Sequence, residues 1–218
     1  LLAPMLEAYT KETGIEFKTV YAPKGLVARL QAEGQNAQAD MVITVDISRV
    51  KELADSGLLA PLSSPVIARN VPAHLRAEDD SWTALSLRAR ILAISKKRVA
   101  KDSLQDIEQL AEPEWQGRVC TRKGSHVYNR ALLASLIAHH GEEDARAWAK
   151  GLVGNLARRP QGNDRAQAKA IYAGECDVAL MNTYYFGKMK FNKSEPEQRV
   201  WADSIELVFF NQQGRGQH

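Results

Sequence analysis

The sequence alternates short apolar runs with stretches of helical periodicity, and this alternation restricts the fold more than any other feature. Residues 177–181 form a mainly apolar run of strand length, and residues 40–45 form a similar run nearer the N-terminus. Residues 128–140 instead place apolar side chains at helical spacing and end at Gly141. Short strands that are buried on both faces are typical of parallel sheets covered by helices. The sequence therefore predicts an α/β fold with parallel sheets flanked by helices.

The period of the apolar residues and the positions of glycine stops predict the individual elements. Strands are expected at residues 15–20, 40–45, 85–94, 117–120, 177–181 and 205–210. Helices are expected at residues 2–9, 25–33, 47–53, 104–110, 128–140, 142–153, 165–173 and 184–189. Asp46 and Asp164 each precede such a helix, and we interpret both as N-caps.

Two of the extended segments are interpreted as hinge strands between two lobes. Residues 85–94 follow a turn-rich segment at the point where a first lobe would be complete, and residues 205–210 form a final strand. This interpretation assigns residues 1–87 and 205–218 to lobe one, and residues 88–204 to lobe two. Because the chain begins inside a helical pattern and ends in a loop pattern, we expect the two-lobed fold to be incomplete at both termini.

The composition and the motifs argue against several classes of protein. The chain is 44% hydrophobic with a net charge of +3, and its basic and acidic residues are interspersed, so no nucleic-acid partner is expected. No segment is apolar over the length of a bilayer span, and no signal-peptide pattern is visible. No phosphate-binding loop or nucleophile–base pair is recognisable, and we therefore expect no catalytic residues and no enzymatic activity.

Three tyrosines are predicted to lie at one edge of one sheet. Tyr184 and Tyr185 follow the strand at 177–181, and Tyr128 follows the strand at 117–120 in the same way. The carboxyl ends of parallel strands share one edge, where α/β proteins bind ligands. Phenolates are hard, charged oxygen donors, favoured near helix N-termini, and they suit ferric iron better than softer metals. The alternative is that these tyrosines are packing residues with solvated hydroxyl groups.

Two interpretations remain open for a pair of arginines, and two for a pair of cysteines. Arg88 and Arg90 alternate on the predicted strand and would face the same side. They would clamp an anion beside a metal, or they would lie on a solvated strand face. Cys120 and Cys176 lack the spacing of metal ligands, and either a disulfide or two buried thiols is consistent with the sequence.

Several segments are specific in combination, namely residues 39–46, 85–90, 115–120, 128–129, 155–164, 173–179 and 182–185. In these segments the chain resembles the periplasmic ferric-ion-binding proteins of ABC iron transporters, in their tyrosine-rich, FbpA/FutA-like branch. The resemblance runs essentially from end to end. It implies a two-lobed periplasmic-binding-protein fold of type II with Fe(3+) in the interlobe cleft.

The resemblance also implies roles for individual residues. Tyr128, Tyr184 and Tyr185 would be the metal ligands, and Arg88 or Arg90 would hold a synergistic anion such as carbonate. Cys120 and Cys176 would form a disulfide. The whole protein would be a periplasmic monomer that delivers ferric iron to an ABC transporter permease at the inner membrane. Members of the family begin with a strand that carries a further His or Tyr ligand and continue beyond the position of His218, so the chain departs from the pattern at both ends.

Two other functions are compatible with the same architecture. A binding protein for an organic cation such as a polyamine would use the tyrosines as an aromatic cage. It would need acidic partners, and Glu175 and Asp177 are the ones close in sequence. The effector-sensing domain of a transcription regulator shares the two-lobed architecture, and a helix-turn-helix preceding Leu1 would support it.

Overall fold

A mixed sheet in the strand order β2–β3–β1–β4 organises the computed structural model, which describes residues 2–22 and 25–212. Its strands are β1 (Arg90–Ser95), β2 (Val119–Cys120), β3 (Val178–Asn182) and β4 (Ile205–Val208). β2 and β3 are parallel, whereas β1 runs antiparallel to both β3 and β4. The prediction of parallel sheets holds for the β2–β3 pair and is corrected for β1. A run of apolar residues signals burial on both faces, but it carries no information about strand direction.

The chain divides into two compact units, Leu1–Leu85 and Ser86–His218, and all four strands belong to the second. The helices of the first unit are α1 (Ala3–Thr13), α2 (Leu26–Glu33), α3 (Ile47–Asp55) and α4 (Pro65–Asn70), with 3₁₀ turns at Gly34–Asn36 and Ala73–Leu75. The predicted N-cap of α3 is confirmed, because the carboxylate of Asp46 accepts a hydrogen bond from the Ser48 N–H at 3.1 Å.

The first unit does not contain the two strands predicted for it. Residues 15–20 and 40–45 are extended, but no strand pairs with them within the described residues. Many of their apolar side chains are exposed, and the buried core of this unit consists of Val27, Leu30 and Leu53. An alternating pattern becomes a strand only when a neighbouring strand supplies the ladder hydrogen bonds.

Helices cover both faces of the sheet in the second unit, as the sequence predicts. These helices are α5 (Val127–His140), α6 (Glu142–Gly154), α7 (Asp164–Tyr172), α8 (Thr183–Lys190) and α9 (Glu197–Ser204). Alternate residues of β1 enter opposite cores: Leu92 packs with residues of α5 and α6, and Ala93 packs with residues of α7, α8 and α9. None of the helices in the described ranges is long and apolar enough to cross a membrane.

Some predicted elements of the second unit are shorter than expected. The helix expected at 104–110 is a 3₁₀ segment, Ile107–Ala111, followed by further 3₁₀ turns. β1 begins at Arg90, so Arg88 precedes the strand and the two arginines do not share a strand face. β4 pairs with β1 in the second unit, whereas the predicted division placed residues 205–218 in lobe one. The hinge role of the two segments stays a prediction.

Cys120 and Cys176 form the disulfide that the resemblance implies, with their Cα atoms 5.9 Å apart. Both cysteines are buried, one at the end of β2 and the other just before β3. The bond therefore fastens the short β2 to the central part of the sheet.

Candidate functional site

The three predicted tyrosines come together where two helices begin. Tyr128 is the second residue of α5, and Tyr184 and Tyr185 are the second and third residues of α8. The hydroxyl oxygens of Tyr128 and Tyr184 are 3.0 Å apart. The rings of Tyr184 and Tyr185 lie 4.4 Å apart between centroids, at an interplanar angle of 30°. β2 and β3 are parallel neighbours, so the chain segments that leave them start at the same sheet edge.

Local capping places Tyr128 in the first turn of its helix. His126 is the N-cap of α5, and its Nδ1 accepts a hydrogen bond from the backbone N–H of Tyr128 at 3.2 Å. The imidazole ring also lies edge-on to the Tyr128 ring, with 4.6 Å between centroids. Burial is the largest effect on the pKa of His126 and lowers it, which favours the neutral ring that can accept this bond. The sequence analysis missed this residue, because histidine is not among the residues that usually cap a helix N-terminus.

Three guanidinium groups surround the Tyr128 ring. Those of Arg88 and Arg122 lie 4.8 and 5.0 Å from the ring centroid, and that of Arg90 lies 5.9 Å away. Such contacts between cations and an aromatic face are attractive. They also surround the phenol with positive charge, which would attract an anion to this place.

The other two tyrosines have cations of their own. Arg165 lies 5.1 Å from the Tyr185 ring centroid, and the Lys188 ammonium lies 5.3 Å from that of Tyr184. The pKa of Tyr184 is nevertheless raised above its ordinary value, first because the phenol is buried and then because of hydrogen bonds with Tyr128 and Tyr185. Burial therefore favours the neutral phenol at Tyr184. A bound cation would have to displace this proton.

Arg90 is held by a buried hydrogen-bond network that links the two tyrosine-bearing helices. Its side chain is 5% exposed, and its Nη1 donates to Asp164 Oδ2 at 2.8 Å and to Asn182 Oδ1 at 3.1 Å. Its Nη2 donates to Asn129 Oδ1 at 2.8 Å. Arg122 Nη1 donates to the second carboxylate oxygen of Asp164 at 2.9 Å. Arg88, by contrast, is exposed.

Asp164 is not the N-cap that the sequence suggested. The N-cap of α7 is Asn163, whose side chain accepts from the Ala166 N–H at 3.1 Å. Asp164 is the first residue of the helix and is completely buried against two arginines. The sequence does contain a signal for this, because Asn163 and Asp164 are both common N-cap residues and a helix has only one N-cap. One of the two was therefore available for another role. The partners themselves lie 42 and 74 residues away and leave no local trace.

The acidic residues required by the organic-cation alternative are engaged elsewhere. Glu175 pairs with Arg158 at 2.6 Å, and Asp177 pairs with Arg98 and Arg118. Asp177 precedes β3, whereas Tyr184 and Tyr185 follow the opposite end of that strand. No group of three His, Cys, Asp or Glu residues suited to a metal occurs in the described part of the chain. The Tyr128 and Tyr184 hydroxyl groups are therefore the candidate metal donors at this edge.

Comparison with known proteins identifies the class of protein to which this fold belongs. Residues 36–214 match the family described as bacterial extracellular solute-binding protein, and the chain belongs to that family. The chain is 41% identical over 211 residues to "Iron uptake protein A1" of Synechocystis. That alignment covers 96% of this chain but only 58% of the relative, so the chain spans less than two thirds of that protein.

Solved structures with the same fold point to the same branch of the family. The Trichodesmium protein IdiA (FutA), in complex with iron and citrate ligands, superposes with a TM-score of 0.93 at 39% identity, covering 100% of this chain and 69% of the other. The ferric binding protein of Campylobacter jejuni superposes with a TM-score of 0.90 at 40% identity, covering 99% and 69% of the two chains. The resemblance drawn from the sequence and the periplasmic-binding-protein fold are thereby confirmed.

Proposed function

We propose that this chain is the ferric-iron-binding part of an extracytoplasmic solute-binding protein, with Tyr128, Tyr184 and Tyr185 as metal ligands. The observation that carries the proposal is the 3.0 Å separation of the Tyr128 and Tyr184 hydroxyl oxygens, at the starts of two helices on one sheet edge. Packing alone would not require two phenols to meet oxygen to oxygen. Two ligands of one cation lie at such a distance from each other.

The chemistry of the donors favours a hard cation of high charge. Phenolate oxygens are hard donors, and three of them contribute three negative charges to the bound metal. Zinc prefers nitrogen and sulfur ligands, and would compete poorly for such a set. Because each phenol must lose a proton before it binds, and because the pKa of Tyr184 is raised, only a strongly polarising ion would displace these protons at neutral pH.

We assign the synergistic anion to Arg88 rather than to Arg90. The terminal nitrogens of Arg90 already donate to Asp164, Asn182 and Asn129 inside the protein. Arg88 is exposed and lies beside the Tyr128 ring, so its guanidinium is the better placed of the two to reach an added anion. A carbonate or a hydroxycarboxylate would complete the metal's coordination and offset the positive charge around it.

The wider setting of the function follows from the family. Proteins of this class present their ligand to an ABC permease, and we propose that partner at the inner membrane, with the binding protein monomeric and in the periplasm. The disulfide between Cys120 and Cys176 supports an oxidising compartment. The grouping of three phenols suits the binding of a cation, and this supports a binding role for the site.

Ferric loading tests this function directly. The wild-type protein, mixed with ferric citrate and freed of excess iron, should show a visible phenolate-to-iron charge-transfer band. The Tyr184→Phe/Tyr185→Phe double variant should lose the band, since phenylalanine keeps the rings and removes the oxygen atoms. Tyr172→Phe is the matched control, because Tyr172 is 52% exposed at the end of α7. A colourless wild-type protein, or a fully coloured double variant, would contradict the assignment.

A further inference from the structure

We propose that Asp164 is a positioning residue that sets the spacing between Tyr128 and the Tyr184–Tyr185 pair; the metal-binding consequence rests on the function proposed above. Asp164 is completely buried and uses both carboxylate oxygens. Oδ1 accepts from Arg122 at 2.9 Å, and Oδ2 accepts from Arg90 at 2.8 Å and from the backbone N–H of Asn182 at 2.8 Å. One carboxylate therefore holds two arginines and one strand end.

One branch of these contacts reaches the Tyr184–Tyr185 pair. Asn182 is the last residue of β3 and the N-cap of α8, two positions before Tyr184. Asp164 holds the backbone of Asn182 directly, and Arg90 holds its side-chain oxygen at 3.1 Å. The start of α8 is thus linked to Asp164 both directly and through Arg90.

The other branch reaches Tyr128. Arg90 Nη2 donates to Asn129 Oδ1 at 2.8 Å, and Asn129 directly follows Tyr128 in the first turn of α5. The Asn129 amide in turn donates to Thr121 Oγ1 and to the Arg122 carbonyl, both at 3.0 Å. Arg122 itself lies over the Tyr128 ring. Both phenol-bearing helix starts therefore take their position from the same buried carboxylate.

Charge explains why a carboxylate is needed at this position. Arg90 and Arg122 are both buried and repel each other, and Asp164 is the acidic side chain that hydrogen-bonds to each of them. Without its negative charge the two guanidinium groups would separate or draw in water. Either movement would alter the distance between the helix starts and hence between the phenols. Groups that orient the ligands of a metal in this way typically change its affinity about 10- to 100-fold.

Two variants and one control test the proposal. Asp164→Asn removes the charge, and Asn129→Ala removes only the branch to Tyr128, so it remains informative if Asp164→Asn does not fold. Asp177→Asn is the matched control, because Asp177 also accepts hydrogen bonds from two arginines. Asp177 lies just before the start of β3, whereas Asp164 contacts Asn182 at the end of that strand. Crystal structures of the iron-free variants give the phenol–phenol distance, and ferric titration of the charge-transfer band gives the affinity.

In Asp164→Asn and Asn129→Ala we expect the Tyr128–Tyr184 oxygen distance to exceed about 3.5 Å, outside hydrogen-bond range. Iron affinity should fall about 10- to 100-fold, with a shifted band. Asp177→Asn should change neither quantity. If both test variants keep the 3.0 Å contact, the positioning role is refuted, even if the band changes. A wild-type protein that binds no iron, combined with a lengthened contact in the variants, would refute the proposed function and still support the positioning role.

Discussion

The hydroxyl groups of Tyr128 and Tyr184 share a hydrogen bond of 3.0 Å although the residues are 56 positions apart. They meet because α5 and α8 begin at the edge where the parallel strands β2 and β3 end. The shared proton and the burial of the site keep Tyr184 in its neutral form when no metal is bound, since both raise its pKa.

Replacing Tyr128 by phenylalanine should lower the pKa of Tyr184 toward its ordinary value of 10.0. The hydrogen bond from Tyr128 is one of the causes of the raised pKa, whereas burial is the larger one and persists in the variant. Spectrophotometric titration of tyrosinate absorption should therefore show one phenol fewer, because Tyr128 is replaced, and one further group moving to lower pH. Tyr172→Phe should remove one exposed phenol and leave the remaining curve unchanged.

The two arginines should differ in their contribution to stability. Arg90→Ala breaks a buried ion pair, and should lower the free energy of unfolding by about 3–5 kcal/mol. Arg88→Ala should lower it by only about 1 kcal/mol, because the side chain is exposed and its contact with the Tyr128 ring is weak. Urea unfolding followed by circular dichroism measures both values. Equal losses for the two variants would contradict the distinction drawn between them.

The disulfide should be formed in the native protein and should stabilise it. Alkylation in denaturant without reductant, followed by mass spectrometry, should modify neither Cys120 nor Cys176, because both sulfur atoms are in the disulfide. Replacing both cysteines by alanine should lower the free energy of unfolding by about 2–5 kcal/mol, because the bond closes a loop across 56 residues of sequence. Two alkylated thiols in the untreated protein would rule out the bond.

Asp177 should make a contribution to stability that depends on pH. Burial acts to raise its pKa, but hydrogen bonds from Arg98 and Arg118 outweigh this effect and lower the pKa below 3.8. A lowered folded-state pKa stabilises the protein above the unfolded value, and the effect is lost as the pH falls through the folded value. At pH 7 Asp177→Asn should therefore cost about 1 kcal/mol. The difference between variant and wild type should vanish in acid well below pH 3.8.

A glycine in α6 should resist replacement although alanine forms helices better. A Cβ atom at Gly151 would lie 2.7 Å from the Ala111 Cβ and 2.9 Å from the Ala111 carbonyl oxygen. Gly151→Ala should therefore lower the free energy of unfolding by about 1–3 kcal/mol through overpacking. Gly154 ends the same helix with nothing within 4 Å of its own Cβ position, so Gly154→Ala should not destabilise. Thermal unfolding of both variants gives the comparison.

Local sequence patterns determined a substantial part of this protein. The buried run at 177–181 predicted β3, and helical periodicity together with Gly141 predicted α5. The carboxyl ends of parallel strands lie at one edge of a sheet, and the helices that follow them begin there. The grouping of Tyr128 with Tyr184 was therefore also predictable. The pairing of the cysteines followed only from resemblance, since spacing alone leaves two free thiols equally acceptable.

Only the tertiary structure decided the remaining features, because they depend on partners that are distant in sequence. Nothing local distinguishes an antiparallel β1 from a parallel one, and nothing local shows that residues 40–45 lack a neighbouring strand in the part of the chain that the structure describes. From the sequence alone Asp164 is interpreted as a helix cap. In the folded protein its two carboxylate oxygens accept hydrogen bonds from Arg90 and Arg122. The period of the apolar residues indicates which side chains are buried. Strand direction and buried ion pairs depend instead on which distant segments of the chain pack together.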